Sequence, residues 1–333
     1  MRNWKKAIGC GILACLLAFG CACGETDGGD TDSSTGGSST PAPQEPVGID
    51  VFADPDFDLG FDIYGTGING ATREVQKTVA FEENKLPVWS FAQWYSEYFL
   101  DKGDMILNDS LFALEDEAKS VKVNRNTGAV SLALNGAKEY GGVQGAPDAF
   151  WPHLLLQQTN APVKFADCET MRATLTFRMD RATDCSSQFG EVPINMQAQF
   201  AWFIYVKNVN PDSAGFGEFL WFGFNLYDPT KLYAPTVSQQ DFAGGTLGNY
   251  IYAVGAANWG GGKRVKIGEK VSFDVDIFEE VEKALDVAHQ AGFMSNTTLQ
   301  DCAITGMNIG FEVFDVWDIA ATIYDMRVYY TED

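Results

Sequence analysis

Basic residues are scarce. Lysine and arginine number 23 against 45 aspartates and glutamates, a formal net charge of −22 over 333 residues. No basic field exists to neutralise phosphates, which argues against a nucleic-acid partner, and the same sign repels an anionic membrane surface. Histidine occurs only twice, at His153 and His289, so a zinc site of His and Cys ligands at finger spacing is absent. G-x-S-x-G, the P-loop and the dinucleotide fingerprint are all missing, which argues against hydrolases of those classes. No apolar run approaches the ~20 residues that a membrane-spanning helix needs, and no internal repeat is present. Apolar side chains are plentiful, at 46%, with 13% aromatic. That is enough to fill a large core and excludes disorder of the whole chain.

Charge reverses at the start. Arg2, Lys5 and Lys6 precede an apolar stretch from Ala7 to Phe19, followed by Gly20 and Cys21. A positive head and a short apolar run have the layout of an export signal. The segment Leu17-Ala18-Phe19-Gly20-Cys21 resembles the processing site of a bacterial lipoprotein. The resemblance implies cleavage over residues 1–20 and acylation, palmitate included, at Cys21. Cys23, preceded by Ala22, is an alternative site, and plain secretion without lipid is the other reading. The lipoprotein reading places the protein in a bacterial cell envelope, extracytoplasmic, on the outer membrane or cell surface, held to the membrane through its N-terminal lipid only.

Residues 24–48 are mostly Gly, Ser, Thr, Asp, Glu and Pro, with Val47 the one large apolar side chain. Such a segment cannot offset its ordering entropy, so residues 21–48 read as a disordered tether. A flexible chain of this length spans roughly 25–30 Å on average. Residues 49–333 show no second linker and read as one domain.

Period-2 patterning dominates that domain. Lys119–Asn124 and Ala129–Asn135 flank Asn126-Thr127-Gly128 and predict a hairpin. Met171, Ala173, Leu175, Phe177 and Met179 alternate on one face of a strand from Thr170. Further strands are expected over 75–81, 196–207, 218–227, 270–275, 304–314 and 321–330. One inserted helix is expected near 277–291, from the spacing of Ile277, Val281, Ala284, Leu285 and Ala288, with Gly292 placed to cap it. Residues 89–100 read as a shorter second helix. The sum is an all-β, antiparallel two-sheet β-sandwich of jelly-roll type.

Three cysteines remain in the domain. Cys168 and Cys185 are the expected pair if a disulfide forms in the oxidising compartment that an export signal implies. The alternative is that these and Cys302 are small buried hydrophobes.

Four groups of residues can carry chemistry. Asp274-Val275-Asp276-Ile277-Phe278-Glu279 resembles the E-x-D-x-x-E signature of laminarinase-like retaining glycosidases. That likeness implies Asp274 as nucleophile and Glu279 as acid/base. The same residues also read as a capping box, with Asp276 as N-cap and Glu279 at N3. Tyr140, His153 and Gln157 are of the kinds a polysaccharide lyase needs, although an apolar strand more often holds its histidine as a hydrogen-bonded core residue. Asp54, Asp56, Asp58 and Asp62 have the alternate spacing of a calcium loop, without the glycine and glutamate of an EF-hand. A structural Ca2+ is therefore the one cofactor the sequence suggests.

The last group is aromatic. Trp259 lies in a glycine-rich stretch, and Tyr250 and Tyr252 precede it on one face of an extended segment. Trp221 and Phe222 are adjacent in an apolar strand and cannot both be buried in a one-sided sheet. Exposed aromatic faces stack on sugar rings, whose C–H edges are apolar. Trp259, Tyr250 and Tyr252 are thus the expected ligand-binding residues.

The run from Met307 to Val313 and on through Ile323 to Tyr330 resembles the closing strands of carbohydrate-associated jelly-roll modules, concanavalin-like or carbohydrate-binding-module-like. Trp151-Pro152-His153-Leu154-Leu155 and Trp221-Phe222-Gly223-Phe224 are similar to strands of that group. The resemblance implies a polysaccharide or glycan as partner. Three functions stay open: a glycan-binding lipoprotein, a glycoside hydrolase or polysaccharide lyase on the same fold, and an adhesion or structural envelope protein without a small ligand.

Overall fold

The computed structural model describes residues 48–68, 71–139, 151–189, 197–241, 249–314 and 316–332. The expected signal over 1–20, Cys21, the expected tether up to residue 47 and Tyr140 lie outside them. Seventeen strands are present among the described residues. In chain order they begin with β1 (Ile49–Asp50), β2 (Gly60–Tyr64), β3 (Val75–Ala80), β4 (Trp89–Ala92), β5 (Asp104–Leu107), β6 (Leu111–Glu115), β7 (Lys119–Asn124) and β8 (Ala129–Asn135). A single helical turn, α1 (Gly136–Glu139), precedes β9 (His153–Lys164), β10 (Thr170–Asp184), β11 (Ala198–Asn208), β12 (Phe219–Tyr227), β13 (Val237–Gln240) and β14 (Tyr250–Val254). After α2 (Ala256–Trp259) come β15 (Lys270–Asp276), α3 (Ile277–Gln290), β16 (Cys302–Val313) and β17 (Trp317–Thr331).

The strands form two sheets. One has the order β15-β10-β17-β8-β7-β6-β5, with β1 added beside β17. The other runs β13-β14-β12-β11-β16-β9-β4-β2-β3. Pairing is antiparallel except for β12 with β14 and β2 with β4. The result is the two-sheet sandwich expected from the alternation.

Alternate residues of each strand fill the space between the sheets. Phe200, Trp202, Ile204 and Val206 of β11 and Leu220, Phe222, Phe224 and Leu226 of β12 point inward. They meet Met171, Leu175, Phe177 and Met179 of β10 and Phe273 of β15. At the other end Phe61, Phe91 and Phe112 stack across the sheets, with centroids 4.6–5.7 Å apart.

The helix forms where the spacing placed it. Asp276 Oδ1 accepts the Phe278 N–H at 2.9 Å, so Asp276 is the N-cap. Glu279 does not fold back to complete a box; it pairs with Lys283 at 3.0 Å. At the far end Gly292 (φ +86°) donates to the His289 carbonyl and Phe293 to that of Ala288, a Schellman closure.

Two expectations are corrected. Residues 89–100 are not a helix: Trp89 and Phe91 alternate into the core as β4, because β9 and β2 flank it and supply ladder partners. Cys168 and Cys185 are both unbridged. They sit at opposite ends of the fifteen-residue β10, so roughly 50 Å of extended chain separates them, far beyond the 4.4–6.8 Å that a disulfide allows. Cys168, Cys185 and Cys302 are all buried. Burial pushes the Cys168 thiol up to about 11 and the Cys302 thiol to about 12.

Candidate functional site

The expected sugar platform lies on the wrong side of its sheet. Register pairs Tyr250 with Leu220 and Tyr252 with Phe222, so both tyrosines share the inner face. Tyr250 is buried, bonds Ser238 Oγ at 2.9 Å and packs on Phe293. Tyr252 is half-buried against the core. Trp259 closes the α2 turn with its indole turned inward onto Phe273 and Phe177, and Nε1 donates to the Asn225 carbonyl at 3.1 Å. Tyr250 and Trp259 present no open ring, and Tyr252 packs its partly exposed ring on the core side of the sheet.

The glycosidase pair is likewise not brought together. Asp274 projects from the outside of the first sheet and binds Arg172 at 2.8 Å, while Glu279 belongs to the exposed first turn of α3. The aspartates of 54–62 diverge as well. Asp54 accepts the N–H groups of Asp58 and Leu59, Asp62 accepts the Thr78 hydroxyl, and Asp56 turns to Arg327. Asp58 stands exposed beside them. Among the described residues no cluster of His, Cys, Asp or Glu could hold a metal ion.

The residues that do converge lie on the outer face of the nine-stranded sheet. The inward set on β11 leaves Gln199, Ala201, Phe203 and Tyr205 facing out, and the inward set on β12 leaves Phe219 and Trp221. Register places Tyr205 beside Trp221 and Phe203 beside Gly223. The four aromatics make one cluster: Tyr205 to Trp221 and Phe219 to Trp221 are both 4.9 Å, and Phe203 to Trp221 is 6.1 Å. All four are half-buried. Trp221 Nε1 donates to Asp241 at 3.0 Å, which fixes the indole. Glycine makes the room. A Cβ at Gly306 would meet the Tyr205 ring at 2.7 Å, and one at Gly223 the Phe203 ring at 2.8 Å, so both rings lean over neighbouring strands.

Beside the aromatics runs a polar row, one residue per strand. Thr78, Asp62, Ser90, Gln157 and Asn308 are cross-strand neighbours from β3 through β16. Asn308 donates to Tyr205 Oη at 3.0 Å. Burial pushes that phenol well above its ordinary range.

A second aromatic group closes the opposite end. Tyr64 meets Trp94 edge-on at 5.6 Å, Tyr95 lies 5.8 Å from the His153 ring, and the Arg73 guanidinium sits over both Trp94 and Tyr95. Five strand spacings separate β2 from β12, about 24 Å.

One further row lies between the groups. His153, Glu312 and Gln199 are directly opposed on β9, β16 and β11. His153 is buried, as expected of a core histidine. Its Nδ1 lies 2.6 Å from the Trp151 carbonyl, an acceptor, so Nδ1 carries the proton and Nε2 faces Glu312 at 3.6 Å. Gln199 Nε2 donates to the other Glu312 oxygen at 2.8 Å. Of the lyase set, Gln157 belongs to the polar row.

In the sequence, Trp221 is marked by its adjacency to Phe222 in one apolar strand, since only one of the two can face inward. Phe203 and Tyr205 carried the same signal: five aromatic or bulky apolar residues in succession on β11 exceed what one face can bury. Trp94 had none, because its neighbours were read as helix.

No family model matches the chain, and neither does any curated protein. Solved structures with a similar path include a family 12 xyloglucanase from Bacillus licheniformis, at 13% identity, a TM-score of 0.38 and coverage of 68% of this chain and 96% of that one. The endoglucanase Cel12A of Rhodothermus marinus matches at 13% identity and a TM-score of 0.33, covering 70% and 97%. A metagenome-derived family 12 endoglucanase gives 11%, 0.35, 74% and 99%. Likenesses this loose assign no residue of this chain a role.

Proposed function

We propose that the protein is an envelope lipoprotein, acylated at Cys21, whose body binds a polysaccharide chain laid across the strands of the nine-stranded sheet. The observation that carries this reading is the outward cluster of Phe203, Tyr205, Phe219 and Trp221 with Asn308 bonded at its edge. Rings supply apolar faces for sugar C–H groups, and a phenol and amide beside them orient hydroxyls. The second aromatic group, about 24 Å away, suits a polymer better than a single sugar. Asp62, Asp241 and Glu312 around the face, and the acidic balance of the whole chain, favour a neutral glycan over a uronate polymer.

Binding fits better than cleavage. Glycoside hydrolysis takes two carboxyl groups about 5–9.5 Å apart. Among the described residues of this face, Glu312 has Gln199, an amide, directly opposite, Asp62 lies three strands and four residues away, roughly 20 Å, and Asp241, beyond β13, is bonded to Trp221. Affinity gels containing xyloglucan, a cellulose ether, alginate or chitosan test the proposal. Retention on a neutral gel, lost in Trp221→Ala and kept in Asp274→Ala, is the expected result. Retention on none of them sinks it. Release of reducing ends or new double bonds from the same panel would instead favour the enzyme.

A further inference from the structure

Lys119 of β7 has no exposed side-chain surface. Its ammonium lies 2.6 Å from Glu139 Oε1, 2.9 Å from Asp116 Oδ2 and 3.0 Å from the Tyr98 carbonyl. Asp116 and Glu139 are themselves nearly fully buried, so two carboxylates share one cation out of water. Burying ions costs several kcal/mol each, and apolar residues of equal volume commonly stabilise a fold as well. Holding a hairpin together does not by itself call for this arrangement.

What the cluster holds is a segment with no ladder of its own. Glu139 Oε2 accepts the backbone N–H of Glu97 at 2.7 Å and of Tyr98 at 3.4 Å. Gln93, fully buried, binds the near end of the same segment: its amide donates to the Tyr64 carbonyl and Asp101, and its oxygen accepts from Leu100. Between these anchors stand Trp94 and Tyr95. Tyr95 has a left-handed backbone (φ +59°), which a tyrosine adopts only when held. Tyr95 N–H also reaches the Thr66 carbonyl, and His153 N–H the Trp94 carbonyl.

We infer that Glu139 is a positioning residue for the Trp94–Tyr95 end of the binding face, acting through the backbone of Glu97 and Tyr98 rather than by touching ligand. The inference rests on the glycan reading of that face. The carboxyl works as a double acceptor; burial pushes it above its ordinary value, and Lys119 offsets part of that rise. The Tyr98 carbonyl accepts a second ammonium proton, and Asp116 Oδ2 adds an ion contact at 2.9 Å.

The test needs no sugar, so its failure is distinct from failure of the glycan reading. Amide hydrogen exchange is measured on the mature chain carrying Glu139→Ala, Glu139→Asp or Glu139→Gln. The 19F resonance of 5-fluorotryptophan at Trp94, assigned with Trp94→Phe, is recorded in each. Glu139→Ala is expected to speed exchange over 94–102 at least tenfold, leave β9, β11 and β16 unchanged, and move the Trp94 resonance. Glu139→Gln keeps an acceptor oxygen and leaves Lys119 paired with Asp116, so it should restore both readouts. Glu139→Asp withdraws the acceptor by one methylene and should behave like the alanine variant; it is the one read should Glu139→Ala not fold. Unchanged exchange over 94–102, loosening spread through both sheets, or a glutamine variant as disturbed as the alanine one overturns the inference.

Discussion

Trp221 and Trp259 carry the same side chain to opposite situations. Trp221 alternates outward from β12 and is held by Asp241; Trp259 is turned into the core by α2. Replacing Trp221 with alanine should therefore weaken retention on the binding polysaccharide about tenfold while leaving the unfolding midpoint within a few degrees. Trp259→Ala should do the reverse. It opens a cavity at Phe273 and strands the Asn225 carbonyl, at a cost of about 3–5 kcal/mol in urea unfolding. The glycine-rich neighbourhood hid this. Gly260, Gly261 and Gly262 mark a turn correctly, but whether an indole at a turn faces in or out is settled by what packs opposite. The thiols allow a sharper check. With Cys168 and Cys302 pushed up to about 11 and 12, almost no thiolate exists at pH 8, and iodoacetamide should label neither until the chain is denatured.

Elements were legible where one period governed the whole segment. β7 and β8 run over the residues that alternation and the Asn-Thr-Gly turn mark, and α3 follows its apolar stripe and glycine stop. Legibility failed at β4. Trp89 to Leu100 mixes a four-residue strand, an irregular segment and a 3-10 turn, and that mixture mimics helical spacing. The order of strands across the sheet was out of reach, and with it the face on which Tyr250 and Tyr252 fall. Their shared face was readable from period 2; that it is the inner one follows from parallel pairing with β12, a non-local fact. For α3 the cap is the testable part. Asp276→Ala removes the acceptor of the Phe278 N–H and should cost about 1 kcal/mol in denaturant unfolding. Glu279→Ala should cost little, because its partner Lys283 is exposed and keeps Glu280.

Across the whole molecule the acidic excess sets the response to pH. Asp50, Asp54, Asp325 and Glu139 are raised, each chiefly by burial. Asp301, held by Asn210 and Thr298, is lowered. A raised carboxyl binds its proton in the folded chain before the unfolded chain does, so its contribution to stability is present at low pH and lost as pH rises through the folded value. Four raised groups against one lowered predict a melting temperature that climbs as pH falls from 7 towards the upper edge of the carboxylate range. A melting temperature that drops steadily over that interval would count against the assignment. Self-repulsion among 45 acidic side chains acts in the same direction. The proposed anchor has its own check: if Cys21 is acylated, Cys21→Ser should move the protein from the detergent phase to the aqueous phase and remove the acyl mass.

The first strand of the body is only two residues long. Ile49 and Asp50 lie against Tyr330 and Tyr329, Val51 N–H reaches the Val328 carbonyl, and Asp50 meets Arg327. The chain thus enters and leaves the body side by side, on the sheet that does not carry the aromatics. If the proposed tether pulls on the leading end while the body holds a glycan, that short seam is the first backbone pairing to take the load. The proposed binding face belongs to the other layer, so under that proposal the load would enter the sheet that does not hold the ligand.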